Sequence, residues 1–444
     1  MIERIFKLTE NETTVRTEVR AGVVTFMTMA YIIFVQPAVM QTAGMDFGAV
    51  MVVTCLVSAL ATLAMAFIAN YPIALAPCMG ENFFFVSVAI GGVTGVAVGW
   101  QAALASVFIS GALFLLLSVF KIREMIFDSI PLSLKSAIAV GIGLFIALMG
   151  LKNAGIIVSD PISMLALGNL TATPTLLAIG GLLLIAVLLS LKIKGALLIG
   201  IVMTALAGLP TDVVEYHGIV ESPPSISPIF FQLDLSSILD VAMIPVTAIF
   251  LFMVLFDTIG TLIGVGQQAG LMTKGKLPRA GRALLADAVG TTAGALMGSS
   301  TVSSYIESAA GVSEGGRTGL ANVVTAFFFL LAIFFYPVIR MVGGGYEMSE
   351  GAFIYPVTAP VLIIVGYFMA GGVKHIPWDD PSEAIPAFIT IIGIPLTCNI
   401  AYGIALGFIS YTLIKLFSGQ GRSVSILVYI MAILLMTLFA LHRP

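Results

Sequence analysis

Charged residues are scarce in this sequence: Asp, Glu, Lys and Arg make up only 10% of its 444 residues, and the formal net charge is −3. With this small net charge, nothing in the composition indicates a nucleic-acid partner. Hydrophobic residues account for 59% of the chain. The composition excludes a soluble domain and a disordered chain, and it predicts a protein that crosses the lipid bilayer many times.

Cysteine and histidine are also rare, with three residues of each. Cys55, Cys78 and Cys398 lie far apart in apolar segments, which excludes a disulfide framework or a cysteine metal motif. The histidines are equally scattered. The sequence therefore predicts no metal site and no resident cofactor.

Fourteen apolar runs follow an amphipathic strip at residues 1–20, which we expect to lie on the cytoplasmic membrane surface. Many runs reach the ~20 residues that a membrane-spanning helix needs. The run at 384–416 is too long for one span and contains Pro386 and Pro395. We therefore predict that this segment bends or re-enters the membrane.

Lysine and arginine residues indicate the topology. With the N-terminus inside and alternating segments, sixteen of them fall on the cytoplasmic side and four fall outside, as the positive-inside rule requires. Both termini are then cytoplasmic, the acidic loop at 210–240 is extracellular, and the predicted location is the inner or plasma membrane. The four outer cations are Lys152, Arg340, Lys415 and Arg422.

The two halves of the chain carry matching landmarks. Asn82 and Glu307 are 225 residues apart, and so are Pro131 and Pro356, each of which precedes an apolar run. Seven runs precede the acidic loop and seven follow it, so the second set enters the membrane from the opposite side. The prediction is an all-α membrane protein built as a 7+7 inverted repeat, an architecture of many secondary transporters.

Each repeat contains one run that cannot be a continuous helix. Six Ser and Thr hydroxyls interrupt the run at 299–311, which predicts an extended piece and then a short helix with Glu307 in its first turn. The partner break lies at 75–85, where Pro77 removes a backbone donor and Gly80 loosens the backbone. Matching breaks indicate a transporter's binding site, because the half-helix ends point into one cavity that could hold a flat polar molecule.

Asp257 lies deep in an apolar span. An ionised carboxylate at that depth costs roughly 2.5–3.5 kcal/mol, so it must face a partner or a cavity. Thr261, four residues further on, shares its helix face. We interpret Asp257 as a group that carries a proton, and a buried contact between helices is the alternative.

The other candidate residues each have two interpretations. Glu307 can accept two ring N–H groups, or it can complete a capping box with Ser304. Asn82 suits a heterocyclic amide edge, or it caps a helix. Glu81 is a second proton group or the partner of a neighbour, and Phe83 stacks on a planar ligand or simply packs.

Four stretches, at 75–84, 255–262, 305–320 and 379–388, resemble the motifs of a known family. They are similar to its LAPGMGxNAFF, LFDTxGTL, YIESAAGVxEGGRTGL and DDxxEAIPAF. The sequence thus resembles the AzgA-like purine branch of the nucleobase:cation symporters, whose wider family includes uracil, xanthine and ascorbate permeases. The resemblance extends from about residue 15 to residue 416.

This resemblance implies symport of a purine base (hypoxanthine, guanine or adenine) with protons, through an elevator-like shift of a core domain against a gate domain. By motif position it implies that Asp257 and Glu307 contact the base and that Asp257 couples the proton. It further implies that Asn82, Tyr305 and Ile306 contribute to the same pocket. A homodimer through the gate domain stays open.

Three positions depart from the family pattern. Cys78 replaces a glycine, Glu81 adds an acid beside the site, and Val254 stands where many members carry an acid. Substrate choice and proton stoichiometry therefore stay open.

The predicted units are the strip at 1–20, core segments 1–4 at 21–120, gate segments 5–7 at 121–209, the loop at 210–240, core segments 8–11 at 241–339 and gate segments 12–14 at 340–444.

Two other functional classes compete with this interpretation. An anion transporter could use the same half-helix ends, but Asp257, Glu307 and Glu81 would repel an anion. An intramembrane aspartyl enzyme would need a second catalytic Asp, as in a GxGD motif, which the sequence lacks. We predict a purine nucleobase transporter rather than an enzyme, with an anion or another nucleobase (xanthine or uracil) as the alternative cargo.

Overall fold

The computed structural model describes residues 2–93, 95–119, 130–160, 164–240, 243–272, 277–349 and 352–441. Within these ranges, eight helices are long and apolar enough to cross a membrane. The described α-helices are α1 Ile2–Phe6, α2 Val15–Met29, α3 Ile32–Gln41, α4 Phe47–Ala64, α5 Met79–Ala89, α6 Trp100–Val119, α7 Leu132–Asn153, α8 Thr173–Ser190, α9 Ala196–Gly208, α10 Met243–Gln268, α11 Ala280–Met297, α12 Ser308–Ser313, α13 Gly319–Ala332, α14 Tyr336–Gly343, α15 Ala359–Ala370, α16 Pro381–Thr397, α17 Ile400–Phe417 and α18 Ile426–Leu441.

The described strands are short and form three antiparallel pairs. Two pairs are local hairpins, whereas the third joins distant parts of the chain, β1 to β4. This third pair replaces helix in the two spans that the sequence predicts to be interrupted. The strands are β1 Leu75–Pro77, β2 Ile157–Asp160, β3 Met164–Leu167, β4 Val302–Ser304, β5 Tyr346–Ser349 and β6 Ala352–Ile354.

The helices pack as two groups, for which we keep the predicted names. The core group contains α2–α6 and α10–α14, and the gate group contains α7–α9 and α15–α17. Each group takes members from both halves of the chain, as an inverted repeat requires. The predicted boundaries at 120–121 and 240–241, and the C-terminal residues 442–444, fall at or beyond the edges of the described ranges.

The run at 384–416 bends, as predicted, but the bend is a complete reversal, which corrects the predicted topology. It forms two helices, α16 and α17, because the chain reverses at Cys398, which adopts a left-handed conformation with φ 48°. Lys415 near the end of α17 forms an ion pair with Glu383 in the first turn of α16, at 2.8 Å between Nζ and Oε1. The prediction that Lys415 lies on the side opposite to Lys374 is therefore wrong, since Lys374 lies just before α16.

With this correction α17 becomes the fourteenth segment, and α18 is an additional apolar helix. The predicted fourteenth segment, 424–441, corresponds to α18. Because α18 has 16 residues, it is shorter than the ~20 that cross a bilayer. The all-α fold and the order of seven segments, a loop and seven segments are as predicted.

The N-terminal strip is only partly a surface element. Helix α2 already begins at Val15, and Glu18 is fully buried. The Glu18 carboxylate accepts the backbone N–H groups of Arg317 at 2.8 Å, Thr318 at 3.3 Å and Ala321 at 3.2 Å. Glu18 therefore caps α13 from a distant part of the chain, since the first N–H groups of a helix have no partner within it.

We expect Glu18→Ala to lower the stability of the protein by about 1–3 kcal/mol, because it leaves these N–H groups without a charged acceptor. The measurement is thermal unfolding of the purified protein in detergent. Glu12→Ala, which removes an exposed acid from the same strip, is the matched control and should leave the midpoint unchanged. An equal midpoint for both variants would contradict the capping role.

Candidate functional site

The two interrupted spans meet in a small antiparallel ladder. Strand β1 of the first repeat pairs with β4 of the second, and all six residues are buried. Two further backbone hydrogen bonds extend the pairing, from Cys78 N–H to the Thr301 carbonyl and from Tyr305 N–H to the Ala74 carbonyl, both at 3.0 Å. The predicted breaks in segments 3 and 10 are thus confirmed. The paired residues are Leu75 with Ser304, Ala76 with Ser303, and Pro77 with Val302.

A half-helix leaves each end of the ladder. Helix α5 follows Cys78, with Glu81 in its first turn, and α12 follows Glu307, which is its N-cap residue rather than a member of its first turn. Because the two strands are antiparallel, the half-helices leave in opposite directions. Pro77 fits at the start of this arrangement because it has no N–H to donate to a continuing helix.

Asp257 on α10 connects both breaks. Its Oδ2 atom accepts a hydrogen bond from the Ser303 hydroxyl at 2.6 Å and one from the Cys78 thiol at 3.3 Å. Ser303 belongs to β4 and Cys78 precedes α5, so one carboxyl group contacts a residue of each repeat. The structure therefore places this predicted site residue at the centre of the ladder.

Glu307 lies four residues beyond Ser303. Its Oε1 atom accepts a hydrogen bond from the Tyr31 hydroxyl at 2.8 Å, and Tyr31 is buried at the start of α3. The capping box with Ser304 is wrong, because Glu307 precedes the helix and the Ser304 hydroxyl has no hydrogen-bond partner in the described part of the chain. One oxygen of Glu307 is thus held by Tyr31, and the carboxyl group remains partly accessible.

Open space lies beside these acids. Gly260 follows Asp257 by three residues on α10, and a Cβ atom added to it would meet no atom of the described residues within 4 Å. The side chain of Ile306, which precedes Glu307, is 47% exposed, and its Cδ1 lies 3.5 Å from a Cβ built on Gly264. Asp257, Gly260 and Gly264 share one helix face. We refer to the open space beside Gly260, one helix turn from Asp257, as the chamber.

Asn82 makes a different set of contacts. It is fully buried, its Oδ1 accepts a hydrogen bond from Ser300, and its Nδ2 lies 3.5 Å from Oε1 of Gln36. Gln36 in turn donates to the Ser299 hydroxyl at 3.2 Å. Asn82 is the fourth residue of α5, so the helix-cap alternative is wrong. Within the described residues, no hydrogen bond joins Asn82 to either acid.

Glu81 lies close to Asp257 and Cys78. The thiol and the two carboxyl groups place one ligand atom each within 4.8 Å of one another, and Glu81 is 2% exposed. Such a donor set could hold a divalent metal such as zinc, or it could share a proton. Among the described residues, none of Glu81, Asp257 and Glu307 forms an ion pair with Lys, Arg or His.

The remaining predicted residues have mainly internal partners. The Phe83 ring packs edge-on against Phe145 of α7, with ring centroids 5.6 Å apart, which is the packing alternative. The Tyr305 hydroxyl donates to the Pro77 carbonyl at 2.6 Å and so fastens the ladder. Thr261 is 8% exposed on the helix face that bears Asp257.

Sequence reasoning missed several members of the site. Tyr31 and Gln36 are the two largest polar side chains of the mostly apolar first span, which was a usable signal. Cys78 attracted notice only as a departure from a motif. Ser303 lies within the serine-rich break, but nothing in the sequence distinguishes it from its neighbours as the partner of Asp257.

Two interrupted spans from opposite halves, joined by a ladder and bordered by acids, define a secondary transporter. The chain belongs to the Permease family, whose sequence model Xan_ur_permease matches residues 16–406. Family and fold agree, and the chain is a transporter rather than an enzyme.

Close relatives match almost the whole chain. It is 49% identical to the putative permease MJ0326 of Methanocaldococcus jannaschii, over 98% of this chain and 97% of the relative. It is 44% identical to the adenine permease AdeP of Escherichia coli K12, over 98% and 95%. It is 41% identical to the guanine/hypoxanthine permease PbuO of Bacillus subtilis, over 97% and 98%.

Solved structures with little sequence similarity share the fold. The transmembrane domain of the cyanobacterial bicarbonate transporter BicA matches with a TM-score of 0.64 at 15% identity, over 88% of this chain and 97% of that domain. Murine Slc26a9 in its inward-facing state matches with a TM-score of 0.63 at 11% identity, over 90% and 68%. The 7+7 inverted repeat predicted from the sequence is thereby confirmed.

Proposed function

We propose that this chain imports a purine nucleobase together with protons, by an elevator-like movement of the core group against the gate group. The observation that carries the proposal is the position of Asp257. It accepts a hydrogen bond from one residue of each break and lies one helix turn from the open space at Gly260. The relatives named for adenine and for guanine and hypoxanthine support the class of cargo.

The chamber suits a flat, uncharged molecule with N–H groups on its edge. Carboxyl oxygens of Asp257 and Glu307 can accept such N–H groups, and a carboxylate can do so in a bidentate pair. Tyr31 occupies Oε1 of Glu307, so its other oxygen is the acceptor offered to a ligand. Within the described ranges the three acids have no ion-pair partner, so an anion would meet charges of its own sign, which disfavours it in spite of the fold shared with a bicarbonate transporter.

Proton coupling is supported by the lack of ion pairs to these acids in the described part of the chain. Three carboxyl groups, Glu81, Asp257 and Glu307, lie in apolar spans without an ion pair among the described residues. Ionising all three together is costly at that depth, so a proton that enters with the base would balance the site. We expect Asp257 to carry this proton and Glu81 to be the candidate for a second one.

The elevator-like movement requires contacts that can break between the two groups. Lys194, in the turn between α8 and α9 of the gate group, forms an ion pair with Glu314 of the core group. Glu314 also pairs with Arg20 of the core group at 2.9 Å between Oε2 and Nε. The groups also meet through hydrogen bonds from Asn399 Nδ2 to the Gly92 carbonyl at 2.6 Å and from the Tyr402 hydroxyl to the Val93 carbonyl at 3.1 Å. Lys194–Glu314 would therefore close the cytoplasmic side.

The orientation and assembly belong to the same proposal. The distribution of cations supports an N-terminus in the cytoplasm, and the corrected position of Lys415 adds one cation to that side. A C-terminus in the cytoplasm follows if α18 lies along the membrane. A homodimer through the gate group rests on the family resemblance alone, and light scattering of the detergent-solubilised protein would test it.

Uptake into proteoliposomes tests the proposed function. With an acidic exterior, the wild-type protein should accumulate one or more of hypoxanthine, guanine and adenine, and a protonophore should abolish the accumulation. Xanthine, uracil and bicarbonate should be poor cargoes. Transport of bicarbonate with purines inert would overturn the proposal in favour of an anion transporter.

We expect Gly260→Val to abolish purine uptake, because three added carbon atoms would fill the space beside Asp257. The helix itself should tolerate the change, since the propensities of Gly and Val for helix differ by less than about 1 kcal/mol. The measurement is base binding by thermal shift, together with uptake. Stabilisation by the base should disappear while the unliganded midpoint stays near that of the wild type.

Gly281→Val is the matched control for this experiment. Gly281 is also helical, and an added Cβ would likewise meet nothing within 4 Å in the described ranges, but it lies at the start of α11. It should retain binding and uptake. Normal uptake by Gly260→Val would show that the base does not occupy the space beside this residue.

A further inference from the structure

A second cavity, of about 440 Å³, lies away from the acids. Its lining comes from both helix groups, with Gln41 and Gly344 at the ends of α3 and α14, and Asn153 at the end of α7. The predicted topology places all of these helix ends on the extracellular side. The lining residues are Gln41, Thr42, Asn153, Gly344, Phe353 and Tyr355.

The cavity lies at the seam between the core and gate groups. The backbone N–H of Tyr355 donates to the Asn153 carbonyl at 2.8 Å, which fixes the gate side of the cavity. A nucleobase that enters from outside must pass between the same two groups to reach Asp257. The cavity is therefore on the outer approach to the central site.

Helix α3 connects the two places. Tyr31, at its start, contacts Glu307, whereas Gln41, its last residue, lines the outer cavity. Ten residues of helix correspond to about 15 Å along the axis, so the outer cavity is a separate position rather than an extension of the chamber.

The chemistry of the lining matches a flat heterocycle. The side-chain amides of Gln41 and Asn153 make no hydrogen bond within the described residues, so each offers one acceptor and two donor hydrogens. The Phe353 ring is 52% exposed, and Tyr355 adds a second ring and a hydroxyl. Two free amides and two rings are groups that recognise the edge and the face of a base.

We propose that this cavity is an outer binding site for the nucleobase, occupied before the base reaches Asp257 and Glu307. The inference rests on the proposed function for its ligand. Its volume lies within the range of about 300–1,000 Å³ that is usual for ligand pockets. The described lining residues are uncharged, which suits an uncharged base.

Transport from each side of the membrane tests this proposal. In right-side-out vesicles, Gln41→Ala and Asn153→Ala should each raise the KM for external base about fivefold, the effect of one lost hydrogen bond, with little change in maximal rate. In inside-out vesicles the same variants should transport like the wild type, because base from the cytoplasm reaches the central site first. Gln232→Ala, an exposed amide on the extracellular loop, is the matched control and should change neither value.

The outcomes separate the two proposals. If the wild type transports no purine, the proposed function fails. If the wild type transports purine and the variants raise KM equally from both sides, or from neither side, the outer site is wrong. Phe353→Ala, in an exposed strand of the outer hairpin, provides a second variant should an amide replacement reduce expression, and it should show the same one-sided change.

Discussion

Asp257→Asn is expected to lower pH-gradient-driven purine uptake about a hundredfold, the effect of losing roughly 3 kcal/mol of interaction with a charged group. Asparagine has nearly the same shape, and its carbonyl oxygen can still accept the hydrogen bond from Ser303. The variant should therefore fold, but it can no longer take up and release a proton. Accumulation should fail, whereas exchange of labelled base for unlabelled base should remain measurable and become independent of pH.

The measurement is uptake and exchange in proteoliposomes at several external pH values. Asp46→Asn is the matched control, because Asp46 caps α4 by accepting the Ala49 N–H at 2.7 Å, and asparagine caps helices equally well. It should behave like the wild type. Uphill accumulation by Asp257→Asn at the normal rate would assign proton coupling to another group, with Glu81 the next candidate.

Linking position 194 to position 314 is expected to stop transport completely. The Lys194–Glu314 ion pair joins the gate group to the core group, so a covalent bridge there would hold the cytoplasmic side closed. Because a disulfide requires Cα atoms within about 7 Å, the bridge should be a bifunctional thiol reagent that spans a Lys–Glu pair, applied to the Lys194→Cys/Glu314→Cys variant. A reductant that cleaves the reagent should restore uptake.

The single variants Lys194→Cys and Glu314→Cys, treated in the same way, are the controls. They also show any effect of the reagent on the three native cysteines. Glu314→Cys additionally loses the pair with Arg20, so its uptake sets the reference for the double variant. Base binding from outside should persist in the bridged protein. Unchanged uptake after complete bridging would exclude relative movement of the two groups at this contact.

The sequence predicted the fold largely through its backbone chemistry. Pro77 and the serine-rich stretch before Tyr305 cannot continue a helix, so both breaks were predictable, and the acids beside them were conspicuous in apolar runs. The length of the run at 384–416 predicted a bend, but its position at Cys398 was not predictable, because cysteine is not a typical turn residue and the two prolines of the run both lie inside α16. One missed turn then placed Lys415 on the wrong side.

The partners of the site residues were harder to predict than the residues themselves. Asp257 and Glu307 were identifiable from type and depth, but Tyr31 and Gln36 reach the breaks only through the way α3 packs, which no spacing in the sequence encodes. Glu18 illustrates the same limit, since a residue expected on the membrane surface caps a helix almost 300 residues away. Long-range partners depend on tertiary packing rather than on local pattern.

The ladder between β1 and β4 depends on the number of residues in each strand, because that number sets which side chains face Asp257. Alternate residues of a strand point to opposite faces, so Ser303 reaches Asp257 only in the observed register, with Ala76 opposite. A one-residue change of length in β4 that directs Val302 at the acid would leave Asp257 without this hydroxyl donor. Such a frame change would remove the hydrogen bond to Asp257 without altering any amino acid of the site, so length variation should be less tolerated here than substitution.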